Sequence, residues 1–138
     1  MKGKRYVEKC LWEYRANLGM LEQLRYEIKN LRSVRGHSYE AHVQYGVSDA
    51  VADVVHKLLV LEKRIRRTEG DTEPVSRLHR DFEAGAYREK YMRDIFDMRY
   101  MEHQTVDYIM RALHISQPTY WRGKDALLHL AGKYFAIE

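Results

Sequence analysis

The chain has 138 residues, a hydrophobic share of 45%, a charged share of 32% and a formal net charge of +4 at pH 7. That length suits one compact domain, or a small module joined to an extended helical part, and argues against two full cores. The single cysteine, Cys10, leaves no internal disulfide. No run reaches the roughly 18 apolar residues of a membrane span and the charged start lacks a signal peptide's apolar core, so the expected location is the cytoplasm.

Only Pro74 and Pro118 interrupt the sequence, and apolar positions recur every three or four residues, which predicts an all-α chain. Residues 4–32 read as one long helix, roughly 40 Å at about 1.5 Å per residue. Its apolar stripe fits a heptad. Val7, Tyr14, Leu21 and Ile28 share one seam position, Cys10, Asn17, Leu24 and Leu31 the other, and Leu11 and Leu18 widen the stripe. The short helices that follow are expected to leave part of it uncovered, which suggests a second copy and a homodimer. The alternative is that the stripe folds back on residues 51–65 of the same chain. Asn17 would set register in either case.

Residues 33–47 lose the pattern and read as a loop. Ser48 then resembles an N-cap, with Asp49 in the first turn and Val51, Val54, Val55, Leu58, Leu61 and Ile65 on one face. Arg64, Arg66 and Arg67 gather before Gly70, where the helix is expected to end. Residues 71–74 read as a break. Val75, Leu78 and Phe82 follow as a short helix stopped near Gly85, and residues 87–101 as another, with Tyr91, Met92, Ile95, Phe96, Arg99 and Tyr100 at core spacing. The expected division is a helical hairpin over 1–70, for oligomerisation or contact with RNA polymerase, and a DNA-binding domain over 71–138.

The last third carries the functional signal. Residues 105–112 predict a short helix burying Val106, Ile109, Met110 and Leu113, and residues 113–116 a turn with Ile115 in its corner. Ser116 can cap the next helix, and Pro118 costs little in a first turn whose amides are unpaired. Tyr120, Leu127, Leu130, Ala131 and Tyr134 are its expected buried face, with Gly123 allowing close approach of another helix. The opposite face presents Gln117, Thr119, Trp121, Arg122 and Lys124. In a helix-turn-helix that face enters the major groove, where Gln pairs with adenine, Arg with guanine and Thr or Trp meets a thymine methyl or phosphate, while Lys124 holds the backbone. An ordinary helical hairpin closing a bundle has the same spacing.

Residues 95–100 (IFDMRY), 113–120 (LHISQPTY) and 126–131 (ALLHLA), with the first helix and residues 48–61 (SDAVADVVHKLLVL), resemble the RinA/ArpU group of phage-encoded late transcription regulators. That resemblance implies a sigma-like helix-turn-helix and a transcriptional regulator of phage or prophage origin, an activator of late genes. Two features depart from the pattern: Gly123 stands where a bulky residue is usual, and the basic residues there are reduced to Arg122 and Lys124.

Other chemistry finds little footing. His37, His42, His56, His79, His103, His114 and His129 have no paired ligand spacing, and Asp94 and Asp97 have no positioned partner, so neither metal, cofactor nor enzyme is expected. Charge is unevenly spread. Residues 1–35 hold nine Lys/Arg against four Asp/Glu, residues 71–104 six against eight, and residues 105–138 four against three. The basic excess lies at the amino end, and phosphate neutralisation supplies most non-specific DNA affinity, so a partner is expected to assist binding. Two alternatives share the motif: a DNA-packaging subunit of the small-terminase kind, and a module that touches RNA polymerase without reading DNA.

Overall fold

A computed structural model describes the backbone of residues 3–45, 49–89 and 91–136, and the side chains of these residues except 34–45, 49 and 50. Five α-helices follow in order: α1 (Lys4–Tyr45), α2 (Asp49–Glu83), α3 (Met92–Ile95), which runs into a π-helical segment (Phe96–Met101), α4 (Val106–Leu113) and α5 (Gln117–Ala136). The fold is all-α with a long N-terminal helix, as its periodicity predicts, and no strand occurs among the described residues. None of the described helices is long and apolar enough to cross a membrane.

Two helices outrun their sequence signals. The loop expected at 33–47 is helical as far as Tyr45. Ser33, Gly36 and Ser38 are weak helix formers, but each costs under about 1 kcal/mol, and extending a formed helix needs no new nucleus. The expected cap Ser48 lies outside the described residues. The second helix passes through Gly70 and the expected break at 71–74 and ends at Glu83, with Pro74 inside it. An interior proline costs about 3 kcal/mol. Val75, Leu78 and Phe82, each 1% exposed or less, return about 1.5–3 kcal/mol apiece by burial, which outweighs that cost.

The contacts divide the chain into two compact units, Met1–Ala16 with Asp71–Glu138, and Asn17–Gly70. The first 16 residues thus group with residues 71–138 rather than with the rest of α1. In the Asn17–Gly70 unit, Leu21, Leu24, Ile28 and Leu58 are buried, and Leu31, Val54, Val55, Leu61 and Ile65 are half-buried. Arg25 pairs with Glu69 and Arg32 with Glu62, each at 3.1 Å, so partners advance on one helix and retreat on the other, as in an antiparallel hairpin. The heptad stripe here is a core seam within one chain, although Leu18 remains 42% exposed.

The larger unit has its own core. Val7, Cys10, Leu11 and Tyr14 of α1 join Val75, Leu78 and Phe82 of α2, together with Ile95, Phe96, Tyr100, Ile109, Tyr120 and Leu127. Tyr14 and Ser76 share a hydrogen bond at 2.8 Å, and the Tyr6 hydroxyl donates to Asp71. The helix expected over 87–101 begins only at Met92, after a left-handed Tyr91 (φ 74°). Its second half widens into π geometry, with Glu102 N–H donating to the Asp97 carbonyl five residues back at 2.9 Å. Met92, Ile95, Phe96 and Tyr100 are all buried, as their spacing predicts, while Tyr91 and Arg99 are half-buried.

Candidate nucleic-acid interface

Thr105 starts α4 with extended backbone, and its hydroxyl accepts from the Tyr108 N–H at 3.2 Å, as an N-cap does. Ile109 is fully buried, and Val106, Met110 and Leu113 pack against the core from the same side. The helix ends at His114, which takes the left-handed conformation (φ 55°, ψ 46°), and Ile115 N–H then donates to the Met110 carbonyl at 3.0 Å. His114, Ile115 and Ser116 form the turn, and Ile115 packs against the core. The Ser116 Oγ accepts from the Thr119 N–H at 3.4 Å and meets the Thr119 hydroxyl at 3.0 Å, which caps α5 as its residue type suggests.

Burial then fixes which face of α5 remains free. Tyr120, Leu127, Leu128, Ala131, Tyr134 and Phe135 are buried. Leu130, expected with them, is only half-buried, and Leu128 takes the deeper position. Gly123 sits where α5 passes α3: a Cβ added there would lie 2.7 Å from Ile95 Cδ1, so a larger residue would make the Ile95 side chain shift.

Of the expected contact residues, Gln117, Trp121 and Arg122 are exposed, at helical spacing that puts them on one side of α5. Thr119 is half-buried, with its hydroxyl engaged by Ser116. Lys124 departs furthest from expectation. Its Nζ lies 2.9 Å from Glu8 Oε2 and 4.7 Å from the Trp121 ring centroid, and its side chain is 19% exposed. Asp125, on the next position, pairs with Lys4, whose hydrogen bond and charge hold the aspartate below the ordinary carboxylate range.

Glu8 thus joins α1 to the C-terminal helices a second time. Its Oε2 also accepts from the fully buried Tyr100 hydroxyl at 2.7 Å. Burial alone would raise the Glu8 pKa, but the bonds from Tyr100 and Lys124 hold it below the ordinary glutamate value. Burial, followed by that bond to Glu8, pushes the Tyr100 hydroxyl up.

Beside this link lies a groove of about 470 Å³ lined by Arg5, Glu8, Lys9, Trp12, Arg99, Tyr100 and Lys124. The Arg99 guanidinium stands 4.7 Å from the Trp12 ring centroid and donates to the Gln104 carbonyl at 2.9 Å. His103 stacks on Trp12 with ring centroids 3.8 Å apart. Sequence reasoning did not assign Arg5, Lys9, Trp12 or Arg99 to the interface. The signal was the basic excess at the amino end, counted as remote from the motif.

A family model described as a protein of unknown function (DUF1492) matches residues 32–131. The chain belongs to the DUF1492 family. The DUF1492 match takes in α2, α3, α4 and most of α5, including the turn at His114–Ser116, and leaves the first 31 residues outside. No curated protein and no solved structure matches the chain.

Proposed function

We propose that the chain is a sequence-reading DNA-binding protein that inserts the start of α5 into the major groove, as a transcriptional regulator of the phage or prophage late-gene type. The observation that carries this reading is the capped α4–turn–α5 unit, whose buried face is fixed by Ile109, Tyr120 and Leu127 while Gln117, Trp121 and Arg122 stay exposed. Gln117 and Arg122 have the chemistry to read adenine and guanine edges. The resemblance of residues 95–100, 113–120 and 126–131 to RinA/ArpU regulators supports the transcriptional role and its activating sense.

Selection of bound duplexes from a random pool, followed by Gln117→Ala and Arg122→Ala, tests the assignment. Each variant is expected to lose about 1–3 kcal/mol of discrimination at one base position. Undiminished, sequence-independent binding by both would sink it.

A second reading is a module that touches RNA polymerase without reading DNA. It is favoured by the pairing of Lys124 with Glu8 and by Asp125 on the third turn, which leave Arg122 the main free cation there among the described residues. Retention on RNA polymerase with no selected DNA motif would establish it. The homodimer has less support, because Leu21, Leu24 and Ile28 are already covered within one chain.

A further inference from the structure

The charge count along the sequence separates the basic residues from the helix-turn-helix, whereas the fold brings them together. Residues 1–16 hold five Lys/Arg against two Asp/Glu and belong to the same compact unit as α4 and α5. Two of those cations and one from α5 differ in their availability. Lys124 is neutralised by Glu8, but Arg5 and Lys9 are exposed and make no ion pair among the described residues. They line one groove with Arg99, whose guanidinium is held by the Gln104 carbonyl and the Trp12 ring rather than by a carboxylate. Glu8, the groove's one carboxylate, is occupied by Tyr100 and Lys124.

The groove therefore presents three cations, one of them preset in direction, against a carboxylate already paired. An open, polar groove of this charge suits a diffuse polyanion. Lys124 forms part of its lining and also contacts Trp121, which sits beside Arg122 on the free face of α5. A duplex read by Gln117 and Arg122 would carry its flanking phosphates past this side.

We propose that the groove formed by Arg5, Lys9 and Arg99 takes the phosphodiester backbone of the duplex that α5 reads, so that the start of α1 is part of the DNA-binding surface. This rests on the DNA-reading assignment of α5. Phosphate contacts set register and supply salt-dependent affinity without reading sequence, which separates their effect from that of Gln117 and Arg122.

The test uses the full chain and the best duplex from the random-pool selection, with affinity measured across a salt series for wild type, Arg5→Gln and Lys9→Gln. Arg66→Gln, in the Asn17–Gly70 unit, serves as a control of equal charge change. Each groove variant should lower the slope of log affinity against log salt by about 0.9, which is roughly a 5- to 10-fold loss at 0.1 M salt, and leave base preference intact. Arg66→Gln should leave the slope unchanged. Wild-type slopes in both groove variants would overturn the proposal alone, as would an equal fall in Arg66→Gln or an altered base preference. Failure of wild type to bind any duplex at low salt would overturn the reading of α5 as well.

Discussion

Removing the Glu8 carboxylate tests whether the start of α1 is built into the C-terminal unit. In Glu8→Ala the Tyr100 hydroxyl, on a residue 1% exposed, loses its acceptor, and a buried hydroxyl left unpaired costs about 1–3 kcal/mol. The Lys124 pair adds less: the Glu8 side chain is 37% exposed, and solvent-screened pairs are worth about 0–1 kcal/mol. A total loss of about 2–3 kcal/mol is expected from urea unfolding midpoints. Tyr100→Phe alone should cost about 1 kcal/mol, yet in the Glu8→Ala background it removes the orphaned hydroxyl and should restore stability. The double-mutant cycle should therefore show a coupling of about 1–2 kcal/mol. Equal effects of Tyr100→Phe in both backgrounds would refute the buried bond, and with it the attachment of α1 through Glu8.

Four further outcomes follow from the same geometry. The Tyr120 hydroxyl is buried without a hydrogen-bond partner among the described residues, so Tyr120→Phe should leave the unfolding midpoint unchanged or raise it, opposite to Tyr100→Phe. Gly19 and Gly70 are helical with no atom near an added Cβ, so Gly→Ala at each should stabilise by about 0.5–1 kcal/mol in thermal melts, whereas Gly123→Ala meets buried Ile95 and should lose about 1 kcal/mol. Because the Glu8 pKa is lowered in the folded state, the advantage of wild type over Glu8→Gln should be full above the ordinary value of 4.5 and decline as pH falls through the lowered folded value; a pH-independent difference would contradict it. Burial, reinforced by the Asp71 charge, pushes the Cys10 thiol up to about 11, so alkylation at pH 8 should be slow in the native protein and fast in urea.

What the sequence made legible was periodic. The seam at Val7, Tyr14, Leu21 and Ile28 is buried throughout, and the cap at Ser116 lies where its residue type suggests. The helix limits were less legible, because local breaker signals compete with tertiary burial. Pro74 marks a break only if nothing beyond it needs the helix, and Val75, Leu78 and Phe82 do. The stretch Phe96–Met101 reads as ordinary helix because a π turn still buries Phe96 and Tyr100, and their spacing alone does not reveal the wider turn. Spacing also put Lys124 on the free face, but its long side chain reaches back to Glu8, a partner 116 positions earlier in the chain.

On the proposed reading of α5, the position of charge in the chain and its position in space lead to different accounts of how this unit would meet DNA. Counted by sequence, the last 34 residues are almost neutral, which argues for a helper. Counted by contact, the start of α1 exchanges charge with α5: Glu8 withdraws Lys124 and Lys4 covers Asp125, while Arg5 and Lys9 make no ion pair among the described residues. The exchange concentrates α1's free cations at the groove while Arg122 stays exposed on α5. Affinity and base reading would then reside on different helices. On this account Arg122→Ala changes which duplex is chosen, and Arg5→Gln changes how steeply salt releases it.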